Sequence, residues 1–260
     1  MGMNLTKTQR AALKTSWPKV KPNATKAGVQ AFVKLFDKHP KYKDKFYKLK
    51  DIPNEQLPTN KALACHSLMF TRAIETMVEN VDDKDMMEEI LLRLAYRHIR
   101  LDLCDKDLQR VSDLFIDQLD KSEHQIWKQA FHKLNPQIGI FLDSLKREGH
   151  HPKYKTKFWR IRDVPSDKLK GNKALHCHSL MFTRAIGAMA ENIEDKEMID
   201  EVLQRLAYRH LRLDIDEKDL KVATDIFVKE MGSSGDKVWQ AAFDKMNPRI
   251  GKYMKDLEKA

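Results

Sequence analysis

The chain contains most of itself twice. His39-Pro-Lys-Tyr-Lys-Asp-Lys-Phe46 returns as His151-Pro-Lys-Tyr-Lys-Thr-Lys-Phe158, an offset of 151 − 39 = 112. The same offset carries Cys65-His66-Ser-Leu-Met-Phe-Thr-Arg-Ala-Ile74 onto Cys177 through Ile186. It also carries Leu94-Ala-Tyr-Arg-His98 onto Leu206 through His210, and Asn135-Pro136 onto Asn247-Pro248. No gap is needed from Lys38 onward, and about half of the aligned positions are identical. This is a domain-sized duplication, far from the roughly 20–50-residue period of a solenoid.

The duplication is incomplete. Residues 1 to about 37 have no counterpart in the second repeat, which begins near Gly149 without a visible linker. The expected domains are therefore 1–148 and a shorter 149–260. The unmatched segment reads as two helices: one capped by Thr6, running through Leu13 and Trp17 and interrupted near Pro18 and Pro22, and one over Thr25 to Lys38. The second places Val29, Phe32, Val33 and Phe36 on one apolar face.

Composition narrows the class. Nine glycines and nine prolines in 260 residues argue for long helices over a turn-rich β fold. Three cysteines, Cys65, Cys104 and Cys177, are too few for a disulfide framework, and the N-terminus carries no apolar signal region, so a reducing, cytoplasmic setting is expected. Mean hydropathy is −0.61, and no apolar run is long enough to span a bilayer. The charge of 48 − 38 = +10 permits a polyanionic partner without requiring one.

Both repeats read as helical throughout, and no convincing strand appears. Over 61–80, Leu63, His66, Phe70, Ile74 and Met77 recur at helical spacing, while Arg72, Glu75 and Glu79 point elsewhere. In the next helix Ile90, Leu94 and His98 stand four residues apart, so His98 continues an apolar stripe. The second repeat matches with His178 and Phe182, then Val202, Leu206 and His210. A lone histidine on such a stripe is usually a satisfied core residue. Here each repeat has two, on separate helices, among Phe, Leu, Met and Ile and without the Asp, Glu or Cys that zinc or di-iron would want. Two imidazoles facing an apolar slot suit a flat metallocofactor with two axial faces, which describes haem.

With these residues laid out, the chain resembles the globin family, in particular invertebrate intracellular two-domain haemoglobins and myoglobins. Trp17 matches the first-helix tryptophan, Phe32 the distal-pocket position of the second helix, and Pro40 the proline opening the third. Phe46 matches the haem-stacking phenylalanine, His66 the distal histidine, Phe70 the haem-facing position one turn later, and His98 the proximal iron ligand. The second repeat matches from the third helix onward through Phe158, His178, Phe182, Leu206 and His210.

The resemblance implies an all-α, tandem globin fold whose second copy lacks the first two helices. It implies haem b, iron protoporphyrin IX, one or two per chain, with His98 and His210 as the metal ligands. Phe46 would stack on the porphyrin, with Leu94, Leu101 and Leu103 along its proximal side. Phe32, His66 and Phe70 would line the ligand pocket, as His178 and Phe182 would in the second repeat. A hydrogen bond from His66 to a bound ligand, worth about 1–3 kcal/mol, would slow ligand loss roughly ten- to a hundredfold. With Phe46, the phenylalanines Phe32 and Phe70 would form an aromatic cage that restricts access.

The implied function is reversible oxygen binding for storage or transport, with molecular oxygen or another diatomic gas as partner and a homo-oligomer allowed. The alternatives are a haem redox enzyme (peroxidase or nitric-oxide dioxygenase) and a six-coordinate haem sensor. The absence of a flavin or reductase motif weighs against the enzyme. The basic, aromatic stretches 39–50 and 151–162 read as solvated loops, with Lys48, Lys50, Arg160 or Arg162 near haem propionates, and not as a nucleic-acid surface. In the second repeat, the missing helices leave large apolar side chains uncovered, each worth about 1.5–3 kcal/mol when buried. Three explanations stand: a truncated chain, helices borrowed from another subunit, or cover from the end of the first repeat at Phe141, Leu142 and Leu145.

Overall fold

The computed structural model describes residues 5–147, 164–211, 215–231 and 236–258, and these contain helices and no strand. The first unit holds α1 (Lys7–Lys38), α2 (Lys61–Glu79), α3 (Lys84–His98), α4 (Asp105–Ile116) and α5 (Lys121–Arg147). Short 3₁₀ turns at Pro40–Lys45, Asn54–Thr59 and Ile99–Leu101 link them. Then come α6 (Lys173–Glu191), α7 (Lys196–His210), α8 (Glu217–Met231) and α9 (Asp236–Glu258). Two compact units form. The segment Lys170–Arg184, which includes the first part of α6, belongs with the first unit, and the chain from Ala185 onward belongs to the second.

Helix starts follow from capping residues. Thr6 Oγ1 accepts from the Gln9 amide at 3.2 Å while Gln9 Oε1 accepts from the Thr6 amide at 3.0 Å, a reciprocal box that opens α1. Asn60 caps α2 through the Leu63 amide, and Asn172 caps α6 through the Leu175 amide. Asp83 and Asp195 cap α3 and α7 in the same way, each carboxylate accepting a methionine amide at 3.0 Å. The 112-residue offset is thus a repeat of local physics as well as of letters.

The expected break near Pro18 and Pro22 does not occur: α1 is one continuous helix. Each proline removes an amide that would bond the carbonyl four residues back. Both prolines are solvent-exposed, on the side away from Leu13, Trp17, Val20 and Ala24, which are buried. Water can satisfy the freed carbonyls there, and burial of the opposite face holds the helix through.

The core of the first unit lies where α1 crosses α2 and covers α4 and α5. A Cβ at Gly28 would stand 3.1 Å from the Ser67 Cβ, so the two backbones approach closely at that crossing. Trp17 and Trp127 meet edge to face with ring centroids 5.9 Å apart. The Trp127 indole donates to Ser16 Oγ at 2.8 Å, and Ser16 in turn donates to the buried Glu123 carboxylate. Leu142 and Leu145 are fully enclosed in this same core, so the end of α5 is committed to its own unit.

Segment Lys170–Arg184 adds to the first unit through Lys173 Nζ on Asp83 Oδ2 at 2.6 Å, Arg93 on the Ala174 carbonyl at 2.7 Å, and Arg184 on Glu75 at 3.0 Å. Cys177 is completely buried there.

The second unit packs α7 and α8 on α9 around Val202, Leu203, Val228, Phe243 and Ile250. Its aromatic cluster repeats that of the first: Phe115–Phe131 and Trp127–Phe131 become Phe227–Phe243 and Trp239–Phe243. A buried amide does likewise. Asn135 donates to Ser112 Oγ at 3.0 Å, and Asn247 to Thr224 Oγ1 at 2.9 Å.

Candidate haem site

Three elements bring the expected ligand-pocket residues of the first repeat together. Phe32 comes from α1, Phe46 closes the 3₁₀ turn after Pro40, and His66 and Phe70 stand one turn apart on α2. The imidazole of His66 lies edge-on to Phe32 and to Phe46, with ring centroids 4.8 Å away in both cases. Phe32 also meets Phe46 and Phe70 at 5.8 Å. Phe32 thus makes ring contacts with Phe46, His66 and Phe70.

Two members of the wall were not singled out from sequence. Phe36, one turn beyond Phe32, packs on Phe46 at 5.1 Å, and Phe115 of α4 packs on Phe70 at 5.2 Å. Both are fully buried, and both lie on amphipathic stripes whose spacing gives direction without giving depth.

On the proximal side, His98 ends α3 and its Nδ1 lies 2.8 Å from the Leu94 carbonyl. In that pairing Nδ1 carries the proton and Nε2 the lone pair, the form of imidazole that ligates a metal. Leu94 and Leu103 pack, half-buried, against the core. Leu101 lies in the 3₁₀ turn after His98, and its carbonyl accepts from Lys45 Nζ, which ties the turn bearing Phe46 to the segment after His98. Tyr42 in the same turn donates to Asp107, whose carboxylate also holds Arg110 at 2.9 Å.

In the second repeat, His210 Nδ1 lies 2.8 Å from the Leu206 carbonyl, the same arrangement. Burial pushes the His210 imidazole below the ordinary histidine range, assisted by Arg209 and opposed by the hydrogen bond to Leu206, so the neutral form is favoured. His178 and Phe182 are half-buried on α6 in the segment grouped with the first unit, whereas Leu206 and His210 belong to the second. Phe158, Arg160 and Arg162 lie outside the described residues. Lys48 is half-buried and Lys50 exposed.

The donor set fits haem. The Nδ1 contacts of His98 and His210 suit the tautomer that could ligate a metal through Nε2, and the first repeat adds a second histidine, His66, among aromatic rings. Among the described residues, no cluster of His, Cys, Asp and Glu suits a bare metal ion, and no helix is long and apolar enough to cross a membrane.

Comparison with known proteins agrees. The globin family model matches residues 29–138 and again 149–254, and the chain belongs to the globin family, whose members bind diatomic gases through haem. Among its relatives are Hemoglobin-3 and Hemoglobin-2 of Phacoides pectinatus. The first is 28% identical over 110 residues, 42% of this chain and 72% of the relative; the second is 27% identical over 123 residues, 47% and 81%. A protein of Casuarina glauca named anaerobic nitrite reductase HBII is 24% identical over 128 residues, 48% of this chain and 80% of its own length.

Proposed function

We propose that the chain binds oxygen reversibly, for storage or transport in the cytoplasm, at haem b held by the first repeat, 1–148, with the second, 149–260, offering an equivalent proximal ligand. The observation that supports this most is the duplicated hydrogen bond from the proximal imidazole to the carbonyl four residues earlier, 2.8 Å at both His98 and His210. It fixes the orientation of each ring and, in the neutral imidazole, leaves the lone pair on Nε2, the nitrogen that would ligate a metal.

When bound, haem would supply an iron able to take one ligand from the protein and one diatomic gas. His98 would hold the iron, and His66 would offer an N–H donor to the gas. Phe46, Leu94, Leu101 and Leu103 would hold the macrocycle, and Phe32 and Phe70 would exclude water from the ligand pocket. In the second unit Leu206 stands to His210 as Leu94 stands to His98.

Haem content per chain tests the reading. Two haems are expected, falling to one in His98→Gly and in His210→Gly, with exogenous imidazole restoring the loss. Full haem and an unchanged spectrum in both variants would overturn the ligand assignment. One haem in the wild type, lost only in His98→Gly, would confine the site to the first repeat. A stable oxygenated spectrum, with a five-coordinate ferrous form in the absence of gas, is expected for a carrier.

The likeness to the Casuarina protein supports a second reading, a redox enzyme. Rapid turnover with nitrite or peroxide would favour it over storage, and a six-coordinate ferrous form would favour a sensor.

A further inference from the structure

Helix α8 turns Thr224 and Val228 into the core of the second unit, while Lys218, Val222, Ile226, Lys229 and Glu230 on its other side are exposed; Asp219 there is half-buried, one carboxylate oxygen accepting from the Asp216 amide at 3.1 Å. At 3.6 residues per turn, Lys218, Asp219, Val222, Ile226, Lys229 and Glu230 fall within an arc of about 120° on that side. Val222 is 60% exposed and Ile226 58%. Single exposed aliphatics are ordinary, but a pair one turn apart on a helix centre is less so.

The first repeat shows what differs. Its corresponding residues are Lys106, Asp107, Arg110, Leu114, Asp117 and Gln118. There Leu114 is buried, in a helix that α1 covers, and Asp107 and Arg110 are engaged with Tyr42. The second repeat has no counterpart of α1, and it carries valine where the first has arginine.

The open face is self-complementary. Val222 and Ile226 are equidistant from Thr224, and so are Asp219 and Lys229, and Lys218 and Glu230. Laid antiparallel on a second α8 across a two-fold axis at Thr224, Val222 meets Ile226 of the other copy, Asp219 meets Lys229, and Lys218 meets Glu230. Each contact then occurs twice. The same operation about Ser112 in the first repeat would set Asp107 against Asp117 and Arg110 against Leu114. Lys221 and Asp225, which flank the stripe, pair with each other at 2.9 Å and add no unmatched charge.

We propose that this face is the interface of a homodimer, with α8 packed antiparallel on α8 of a second copy. Apolar contact at Val222 and Ile226 supplies the centre, and the charge pairs on either side set the register.

Sedimentation equilibrium of the full chain over a wide concentration range tests it. Self-association is expected, weakened at least about tenfold by Ile226→Asp. That side chain is exposed, so helical content and haem content should hold. Lys218→Glu sets like charges opposite one another, as does Glu230→Lys. Each single change should weaken the dimer, and the double change should restore it toward wild type. A chain that stays monomeric throughout, a dimer indifferent to Ile226→Asp, or a double variant no tighter than the singles would overturn the proposal.

Discussion

The ring of His66 stands edge-on to Phe32, centroids 4.8 Å apart at 77°, so the imidazole is braced by an aromatic side chain from α1. Phe32→Leu should loosen that brace while conserving most of the volume, at a stability cost of about 1 kcal/mol. Ligand association and dissociation, followed by flash photolysis of the haem-loaded protein, are both expected to rise on the order of tenfold, equivalent to about 1.4 kcal/mol of barrier. Unchanged rates would show that the cage does not limit access.

Glu75 is buried with Lys21 from α1, Arg72 from its own helix and Arg184 around its carboxylate. Burial alone would raise its pKa, but hydrogen bonds from Lys21 and Arg72 and the charge of Arg184 outweigh it, so the group titrates below the ordinary carboxylate range. A depressed folded-state pKa gives stability that is present above the unfolded value and lost as pH falls through the folded one. Glu75→Gln should therefore cost about 2–3 kcal/mol at pH 7, less than a fully buried pair because Lys21 reaches solvent. Urea midpoints should converge for variant and wild type on acidification below pH ~4.

Ser16 joins two buried groups, accepting from the Trp127 indole and donating to Glu123. In Ser16→Ala both lose a partner at once, and a loss of about 1–3 kcal/mol is expected by thermal or denaturant melting. Ser16→Thr keeps the hydroxyl and should recover part of it.

The repeat provides a paired test of packing. A Cβ at Gly139 would come within 2.9 Å of the Asp105 Cβ, an atom fixed to the start of α4. At the equivalent Gly251 a carboxylate oxygen of Glu217 stands 3.1 Å away and the Glu217 Cβ 3.2 Å, a looser fit than the 2.9 Å at Gly139. Gly139→Ala should destabilise by about 1–3 kcal/mol. Gly251→Ala should be near neutral, because the helix propensity gained, about 0.5–1 kcal/mol, offsets a small adjustment of Glu217.

Much of the fold could be read from periodicity. The stripes through Ile90, Leu94 and His98, and through Val202, Leu206 and His210, set helix and face together because 3.6-residue spacing records which side is dry. The two prolines overstate the break in α1. Pro18 and Pro22 signal a break only when their side of the helix is buried, and here it is wet. Glu75 shows the opposite limit: it lies off the apolar stripe of α2, yet two other segments cover that side, and no local pattern reports a neighbour so distant in sequence. The roles of Phe36 and Phe115 were hidden for the same reason.

The absence of an α1 counterpart in the second repeat has a kinetic consequence. In the first unit, Gln9 bonds Gln129 across 120 positions and Ser16 holds Trp127 across 111. The second unit makes its equivalent aromatic cluster between neighbouring helices, and its bond from Tyr253 to Asp200 closes only 53 positions. On the ribosome, α1 must therefore wait on the order of ten seconds for α5 to emerge. Among the described residues, these second-unit contacts close shorter loops and meet a smaller entropic barrier. The half synthesised first is the half whose last long-range contact takes longer to form.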